Sequence, residues 1–337
     1  MEIILAGGTG QVGRLLVRAL TSQGHSCVVL TRRPPADPPT PLLREVQWDG
    51  RTLGPWCADL EGVDAVINLA GRSVDCRYTE RNLETMLSSR VESTRVIGQA
   101  IAACSRPPAI WLQAGTATIY SHRFDGPNDE ITGSLGGAEP GVPALWSRSV
   151  DIARAWEAEL NAAPTPATRK VVLRSALTLS VDRGGVFDVL ARLARLGVGR
   201  QGDGRQFVSW IHEHDFVAAV LFLLSRSDLT GAFNLSAPHP LPNRDFMACL
   251  HEALGTWAAF PVPRMLLEAG ARLRRTETEL LLKSRRVVPT RLLQAGFRFQ
   301  YEDFGEAVNE LVARWRPPPY PASSGSILSR WHWLRFG

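Results

Sequence analysis

A glycine-rich loop that directly follows a short apolar run limits this chain to few folds. Residues 3–6 read Ile-Ile-Leu-Ala, and residues 7–13 fit both G-x-G-x-x-G and G-x-x-G-x-x-G. Residues 12–20 then carry apolar side chains at helical spacing. A chain of this kind turns sharply off a buried strand and presents helix N-terminal amides to a pyrophosphate. The predicted contacts to that group are Gly7, Thr9, Gly10, Gln11, Val12 and Gly13.

The first half of the chain alternates between short apolar runs and amphipathic segments. Such alternation predicts an α/β fold, here a Rossmann-type doubly wound parallel sheet. The predicted strands are residues 3–6, 27–31, 46–48, 65–68, 110–113 and 171–173, and the predicted helices are residues 12–20, 79–103 and 145–160. After about Arg183 the strand signals become fewer. We therefore expect a nucleotide-binding domain over residues 1–183, a smaller C-terminal α/β lobe over 184–315 that could return a strand to the sheet, and a flexible tail over 316–337.

The end of the second predicted strand indicates which dinucleotide the loop would bind. A carboxylate at this point holds the ribose hydroxyls of NAD, but the chain reads Thr31-Arg32-Arg33. A guanidinium can take a phosphate through a two-pronged, charge-assisted contact, which favours the 2′-phosphate of NADP. After the fourth strand, the small residues of Leu69-Ala70-Gly71 leave room for adenine and ribose at the carboxyl edge of the sheet.

Composition and charge indicate which binding partners and which compartment to expect. The net charge of +5 is mildly basic, and it is the only feature that would suggest nucleic-acid binding, which we do not expect. Five scattered cysteines are typical of a reducing compartment, and no apolar run approaches the roughly 20 residues that span a bilayer. No segment before the first strand is long enough for a signal peptide, so we expect a cytoplasmic protein. We also expect that the protein binds no metal and contacts no membrane. The pattern does not predict an oligomeric state.

Several short blocks are distributed along the chain to about Trp315. They are Gly7-Gly8-Thr9-Gly10, Asn68-Leu69-Ala70-Gly71, Ser89-Arg90, Trp156-Glu157, Gly202-Asp203-Gly204-Arg205-Gln206, Ser209-Trp210-Ile211-His212, Asp215, Gly231, Phe233-Asn234, Asn243, Pro289-Thr290-Arg291-Leu292 and Ala295-Gly296-Phe297. Taken together, these blocks resemble the epimerase-like family 39U, within the atypical extended short-chain dehydrogenase/reductases. The resemblance implies a Rossmann fold and NADP binding, with Arg90 among the cofactor contacts.

The chain departs from short-chain dehydrogenases at their Tyr-x-x-x-Lys pair. Counted back from Glu157, Ser149 and Ala153 stand where the tyrosine and lysine would fall. Thr116 and Tyr120 remain nearby, and either could donate a hydrogen bond to a substrate carbonyl. Tyr120 could equally be a packed loop aromatic with a satisfied hydroxyl.

Residues of the second half admit both functional and structural interpretations. Arg205 is the better candidate for an anion or cofactor contact from the smaller lobe. We expect Asp215 to be the N-cap of the following apolar helix and His212 to order a loop, although imidazole could also act as an acid or base. Between residues 264 and 298 basic side chains outnumber acidic ones, which favours a solvated helix face over an anion site.

These features predict an NADP(H)-binding oxidoreductase of the epimerase family that acts on a small carbonyl or alcohol, with Thr116 and Tyr120 polarising the oxygen. The alternative is an NADP-binding sensor or interaction protein that lacks the catalytic pair. The intact glycine loop and the block from Arg205 to Asp215 favour the enzyme, and the missing pair favours the sensor.

Overall fold

The computed structural model of the protein describes residues 1–34, 38–274 and 276–316. The expected tail after Arg316 lies outside these residues. The strands are β1 (Glu2–Ala6), β2 (Ser26–Thr31), β3 (Leu43–Gln47), β4 (Ala65–Asn68), β5 (Ile110–Thr116), β6 (Arg169–Ser175), β7 (Leu177–Leu179), β8 (Val198–Gln201), β9 (Phe207–Val208), β10 (Trp210–His212), β11 (Gly231–Leu235), β12 (Leu241–Pro242) and β13 (Phe260–Val262). The helices are α1 (Gln11–Ser22), α2 (Glu80–Ala102), α3 (Leu145–Ala162), α4 (Val186–Arg195), α5 (Glu213–Ser225), α6 (Asn243–Ala253), α7 (Arg264–Arg274), α8 (Glu279–Leu282), α9 (Thr290–Gln294) and α10 (Phe304–Arg314).

Within the described residues, seven strands form one parallel sheet in the order β3-β2-β1-β4-β5-β6-β11. The chain starts at the centre of the sheet, runs to one edge through β3, and then returns past β1 to the other edge. This reversal places a crevice at the carboxyl ends of β1 and β4, where ligands of doubly wound sheets bind. The predicted Rossmann-type α/β fold is confirmed.

Helices cover both faces of the sheet. On one face, Leu16 of α1 and Phe216 of α5 pack against Ile3 and Leu5 of β1. The neighbouring residues of β1 point to the opposite face, toward a second core that contains α2 and α3 residues such as Ile97 and Leu160. Because both faces are buried, the central strands β1 and β4 are nearly continuous apolar runs and do not alternate with polar residues.

The second half of the chain builds a further core and also completes the sheet. Strand β11 pairs with β6 in parallel register, from Gly231 opposite Val171 to Leu235 opposite Ser175. Around the third core, α4, α6 and α10 pack together, and the rings of Phe246 and Phe304 stack with centroids 4.1 Å apart. The second half of the chain therefore contributes both an edge strand of the sheet and a core of its own.

The N-terminus of α5 differs from the sequence expectation. His212, not Asp215, is the N-cap residue, and its Nδ1 accepts the backbone N–H of His214 at 3.1 Å. Asp215 lies inside the first turn, where its carboxylate accepts the N–H groups of Gln300 and Tyr301 at 2.7 and 2.9 Å. The prediction for Asp215 is wrong because its side chain is drawn to the segment before α10. Buried His212 also contacts Glu310 at 2.9 Å, so it orders this junction as expected.

Among the described helices, none combines enough length with enough apolar character to cross a membrane.

Candidate functional site

The glycine loop after β1 is held against neighbouring backbone at a distance that only glycine allows. Gly7 has φ +79°, and a Cβ there would lie 2.8 Å from the carbonyl carbon of Leu69. A Cβ on Gly13 would lie 2.4 Å from the carbonyl oxygen of Gly7. These contacts pack β1, the loop and the start of α1 so tightly that side chains cannot enter between them. A Cβ on Gly10, in contrast, meets only the oxygen of Gly7, at 3.3 Å.

The start of α1 leaves its backbone amides available. Gly10 is the N-cap residue and provides no side-chain hydrogen bond, and the first turn contains no acidic side chain. Thr9 and Gly10 are exposed, with Gln11 and Val12 half-buried. The side-chain amide of Gln11 donates to the hydroxyl of Ser180 at 2.8 Å, and this contact ties α1 to the loop after β7. An uncapped helix N-terminus beside a bare glycine backbone fits an anionic group such as a pyrophosphate.

The end of β2 presents two cationic side chains. Thr31 is buried and its hydroxyl oxygen accepts the N–H of Arg33 at 3.3 Å, while the side chains of Arg32 and Arg33 are exposed. Neither guanidinium forms an ion pair with a carboxylate within the part of the chain that the structure describes. Two exposed cations at the end of β2 fit an additional phosphate beside the crevice.

The end of β4 lies beside the glycine loop. Buried Asn68 accepts the N–H of Ala70 at 3.0 Å, and this contact shapes the turn through Leu69 and Gly71 next to Gly7. Arg90 from α2 packs on this turn, because a Cβ on Gly71 would lie 3.2 Å from its Cζ. The guanidinium also lies 5.0 Å from the ring centroid of Trp156, and burial lowers the pKa of Arg90 to about 10. The structure thus brings the predicted residues of β1, β4 and α2 together.

The two candidate catalytic side chains differ in their surroundings. Thr116, at the end of β5, accepts the N–H of Thr118 at 3.1 Å, and none of the described residues accepts a hydrogen bond from its hydroxyl. Tyr120 is buried, donates to Asn234 at 3.0 Å and accepts from Arg174 at 2.8 Å. Burial raises the pKa of the Tyr120 phenol. Thr116 therefore retains a free donor, whereas these contacts favour the packed interpretation of Tyr120.

A Tyr120→Phe substitution tests the packed interpretation. Removing the hydroxyl takes one hydrogen bond from the side-chain oxygen of Asn234 and one from the guanidinium of Arg174. We therefore expect a loss of about 1–3 kcal/mol of unfolding free energy with unchanged nucleotide binding. Urea unfolding and a nucleotide titration measure the two quantities. Tyr301→Phe is the control, because Tyr301 is only half-buried and its hydroxyl accepts a long hydrogen bond of 3.3 Å from Gln300. A Tyr120→Phe protein as stable as the wild type would contradict a structural role.

A buried polar cluster occupies the position that corresponds to the missing tyrosine. Ser149 of α3 donates to Glu279 at 2.6 Å, and Lys283 and Arg285 lie 3.5 and 3.9 Å from the same carboxylate. Lys283 also donates to the carbonyl of Thr118 at 2.9 Å. The expectation of a solvated helix face is wrong for Lys283 and Arg285, because both pack into the sheet-bearing half of the molecule. Sequence reasoning missed this cluster, since its members are up to 167 residues apart.

A cleft of about 680 Å³ lies next to this cluster. Aromatic and proline side chains provide its apolar surface, and three arginines make its rim cationic. Arg205 is one of them; its guanidinium pairs with Asp203 at 3.0 Å and lies 5.8 Å from the ring centroid of Phe124. The lining residues are His122, Phe124, Gly141, Val142, Pro143, Trp146, Arg200, Gly202, Asp203, Arg205, Gln206, Pro261, Pro263, Arg264 and Leu282.

His122 is a cleft residue that sequence reasoning missed. Its Nδ1 accepts the backbone N–H of Ser284 at 2.8 Å, so the proton of the neutral ring is on Nε2. The ring meets those of Phe124 and Trp146 edge-on, at 5.0 and 5.5 Å. Burial lowers the pKa of His122 and favours the neutral ring. No spacing in the sequence distinguishes this histidine from a loop residue.

Comparison with known proteins gives two family matches. A family model described as "NAD dependent epimerase/dehydratase family" matches residues 3–140. A second model, described as "Domain of unknown function (DUF1731)", matches residues 262–311, which include α7 to α9 and most of α10.

Relatives match nearly the whole chain. The epimerase family protein SDR39U1 of Bos taurus is 31% identical over 318 residues, covering 93% of this chain and 100% of the relative. The epimerase family protein YfhF of Bacillus subtilis is 29% identical over 314 residues, covering 93% of this chain and 98% of the relative. The crystal structure of human epimerase family protein SDR39U1 (isoform 2) with NADPH superposes with a TM-score of 0.79 at 29% identity, covering 93% of this chain and 100% of that one.

Proposed function

The chain belongs to the epimerase family that includes SDR39U1, and from this membership and the geometry of its crevice we propose that it is an NADP(H)-dependent oxidoreductase. The membership confirms the resemblance inferred from the sequence blocks. The proposed substrate is a small carbonyl compound or alcohol, bound in the cleft that Phe124, Trp146 and Arg205 line. The cytoplasm is the compartment we propose, from the reduced state that the five cysteines favour.

The observation that carries the proposal is the glycine cradle with the uncapped start of α1. The tight packing of Gly7 and Gly13 excludes side chains, while the open side of Gly10 faces the direction from which a pyrophosphate would approach. Arg32 and Arg33 would hold the 2′-phosphate, and Thr31, Leu69 to Gly71 and Arg90 would surround the adenosine half. That the human relative was crystallised with NADPH supports the same cofactor here.

Cofactor preference tests this assignment. We expect wild-type protein to bind NADPH more tightly than NADH, and Arg32→Ala to weaken NADPH binding by about 10- to 100-fold with little effect on NADH, because one charge-assisted phosphate contact contributes about 1.5–3 kcal/mol. Fluorescence titration of the bound dihydronicotinamide gives both affinities.

A matched control separates a local contact from the general loss of a positive charge. Arg106 is exposed and lies just before β5, at the amino ends of the strands and so away from the crevice, and we expect Arg106→Ala to leave both affinities unchanged. Equal binding of NADPH and NADH by the wild type would show that Arg32 does not select the phosphate. Failure of both nucleotides to bind would remove the basis for an oxidoreductase.

Thr116 is the side chain that we propose to contact the reacting oxygen. Its hydroxyl proton is available at the carboxyl end of β5, and a positioned hydroxyl can polarise a carbonyl. A bound NADPH supplies hydride. The protein's part is to orient the carbonyl, exclude water with the apolar wall of the cleft, and provide a proton to the oxygen. Tyr120 contributes by packing β5 against β6 through Arg174.

The alternative function is an NADP-binding sensor that reports the state of the cofactor to a partner protein. Ser149 and Ala153, in place of the tyrosine and lysine of active dehydrogenases, favour it. Cofactor-dependent partner binding without NADPH consumption across a broad carbonyl panel would decide for the sensor, whereas turnover of any carbonyl that is lost in Thr116→Val would decide for the enzyme.

A further inference from the structure

Lysine is almost absent from this protein. The sequence contains 36 arginines and two lysines, Lys170 and Lys283, among its 38 basic residues. Arginine remains protonated in proteins, whereas a buried lysine can lose its proton near neutral pH. A position at which this arginine-rich chain has lysine is therefore a candidate for proton transfer.

Lys283 is buried at the junction between the C-terminal residues and the sheet. Its side chain is 2% exposed, and Nζ donates to the carbonyl of Thr118 at 2.9 Å. Thr118 is two residues after Thr116, whose hydroxyl is the proposed contact to the reacting oxygen. The neighbouring Leu282 lines the cleft. The ammonium group is thus anchored to the segment that carries the proposed substrate contact.

The carboxylate beside Lys283 contacts the helix position that lacks its tyrosine. Glu279 Oε1 accepts from Ser149 at 2.6 Å and lies 3.5 Å from Lys283 Nζ. Ser149 is the residue that stands in the place of the tyrosine. Among the described residues, Glu279 Oε2 and Arg285 Nη2 are buried without a hydrogen-bond partner. Unpartnered polar atoms are rare in protein interiors, so these two atoms can each take a further hydrogen bond.

The charges around Lys283 keep its proton labile. Burial and the nearby guanidinium of Arg285 lower the pKa of Lys283 to about 8, while the carboxylates of Glu279 and Glu139 act in the opposite direction. Other titratable groups at the cluster are His122, whose pKa is lowered by burial, and Tyr78, whose pKa is raised by burial and by Glu279. A lysine of this kind is protonated at neutral pH and can give its proton up without a large energetic cost.

We propose that Lys283, which adjoins Leu282 of the cleft wall, is the proton donor to the substrate carbonyl and replaces the tyrosine and lysine that α3 lacks. This inference rests on the proposed oxidoreductase function. As the carbonyl carbon accepts hydride from the reductant NADPH, the electrons of the C=O π bond move to oxygen, and the oxygen takes a proton from Lys283 Nζ. The carbonyl is reduced to the alcohol, NADPH is oxidised to NADP⁺, and the neutral amine regains a proton from water. Glu279 is the positioning residue for Lys283.

The scarcity of lysine makes a direct test possible. Protein labelled with ¹³C-lysine gives two lysine Cε signals, and Lys170→Arg assigns them. The shift of each Cε reports the protonation of its amine, so both pKa values can be measured without a substrate. We expect Lys283 to titrate near pH 8 in the free protein. In the presence of the cofactor, we expect its pKa to be lower by about one unit with NADP⁺ than with NADPH, because a pyridinium ring bound in the crevice would add a positive charge.

Lys170 is the internal control, because its Nζ donates to Ala163 at the amino end of β6, away from the crevice. Its titration is expected to be the same with either nucleotide. NADPH binding is measured in the same samples by energy transfer from tryptophan to the dihydronicotinamide, and NADP⁺ binding is measured by its displacement of NADPH. If both nucleotides bind and the Lys283 signal titrates identically with each, Lys283 is a structural residue and the inference is overturned alone. If neither nucleotide binds, the proposed function falls and the inference falls with it.

A substitution gives an independent readout. Lys283→Arg keeps the positive charge but has no group that titrates near pH 8. Calorimetry of NADP⁺ binding at pH 8, in buffers of different ionisation enthalpy, is expected to show proton release by the wild type and none by this variant. Glu279→Gln is expected to lower the pKa of Lys283 further, because it removes a negative charge. Equal proton release by the wild type and Lys283→Arg would overturn the assignment.

Discussion

A Gly13→Ala protein is expected to lose NADPH binding by roughly 100-fold or more and to lose about 3 kcal/mol of unfolding free energy. The added Cβ would lie 2.4 Å from the carbonyl oxygen of Gly7 and 2.6 Å from the Cα of Gly8. Both atoms belong to the backbone, so no side chain can move aside. The loop must separate from the first turn of α1, and this displaces the amides that would hold the pyrophosphate. Urea unfolding and fluorescence titration measure the two effects.

Gly10→Ala is the matched control for this substitution. Its Cβ would have one neighbour within 4 Å, the oxygen of Gly7 at 3.3 Å, so the unfolding free energy should change by less than about 1 kcal/mol. NADPH binding should nevertheless fall, because the methyl group projects toward the open side of the loop. Two variants with equal losses of stability, or a Gly10→Ala protein that binds NADPH normally, would contradict this assignment of the phosphate side.

The second large effect is expected for the ion pair between α3 and β6. Glu157 receives two hydrogen bonds from Arg174, each 2.8 Å long, and the two side chains are 13% and 12% exposed. Glu157→Gln leaves the guanidinium without its counter-charge in a poorly solvated place, so we expect a loss of about 3 kcal/mol. Urea unfolding measures it, and adding Arg174→Met should restore part of the stability because the unpaired charge is removed.

Glu159, on the same helix, provides a pair of the same geometry in solvent. It receives two hydrogen bonds of 2.9 Å from Arg95, but the arginine side chain is 52% exposed. Glu159→Gln should therefore cost less than about 1 kcal/mol. If the two variants lose equal stability, burial is not what makes the Glu157 pair matter.

The central strands and their helices could be predicted from local sequence because burial on both faces leaves a simple pattern. Residues 65–68 form β4 as expected, and all four are buried. The helix predicted from Thr79 is α2, with the side chain of Thr79 as its N-cap. The sequence predicts β11 only as a possible return of the chain to the sheet. Its partner β6 ends more than 50 residues earlier, and pairing over such a separation leaves no local signal.

The candidate site was predictable where a backbone conformation demands a residue type, and not where distant side chains meet. Gly7 and Gly13 follow from the turn between β1 and α1. Lys283, in contrast, lies in a run of basic residues, and its burial depends on Ser149, Glu279 and Thr118, which no periodicity connects. The sequence predicts Asp215 as a helix N-cap because an acidic residue near a helix start is typical of that position. Its carboxylate instead accepts the backbone N–H groups of Gln300 and Tyr301, and no local pattern indicates these partners. The roles of Thr116, Arg32 and Arg205 stay predictions.

The position of β11 has a consequence for biosynthesis. Until Leu235 has left the ribosome, β6 presents an unpaired edge of backbone amides and carbonyls, and at about 5–20 residues per second this exposure lasts for several seconds. During that interval the nascent chain is open to strand pairing with other molecules. A fragment that stops near residue 183 would keep this edge permanently, so we expect it to aggregate when expressed alone. Truncation for crystallography or for separate study of the nucleotide crevice should therefore retain the chain through β11.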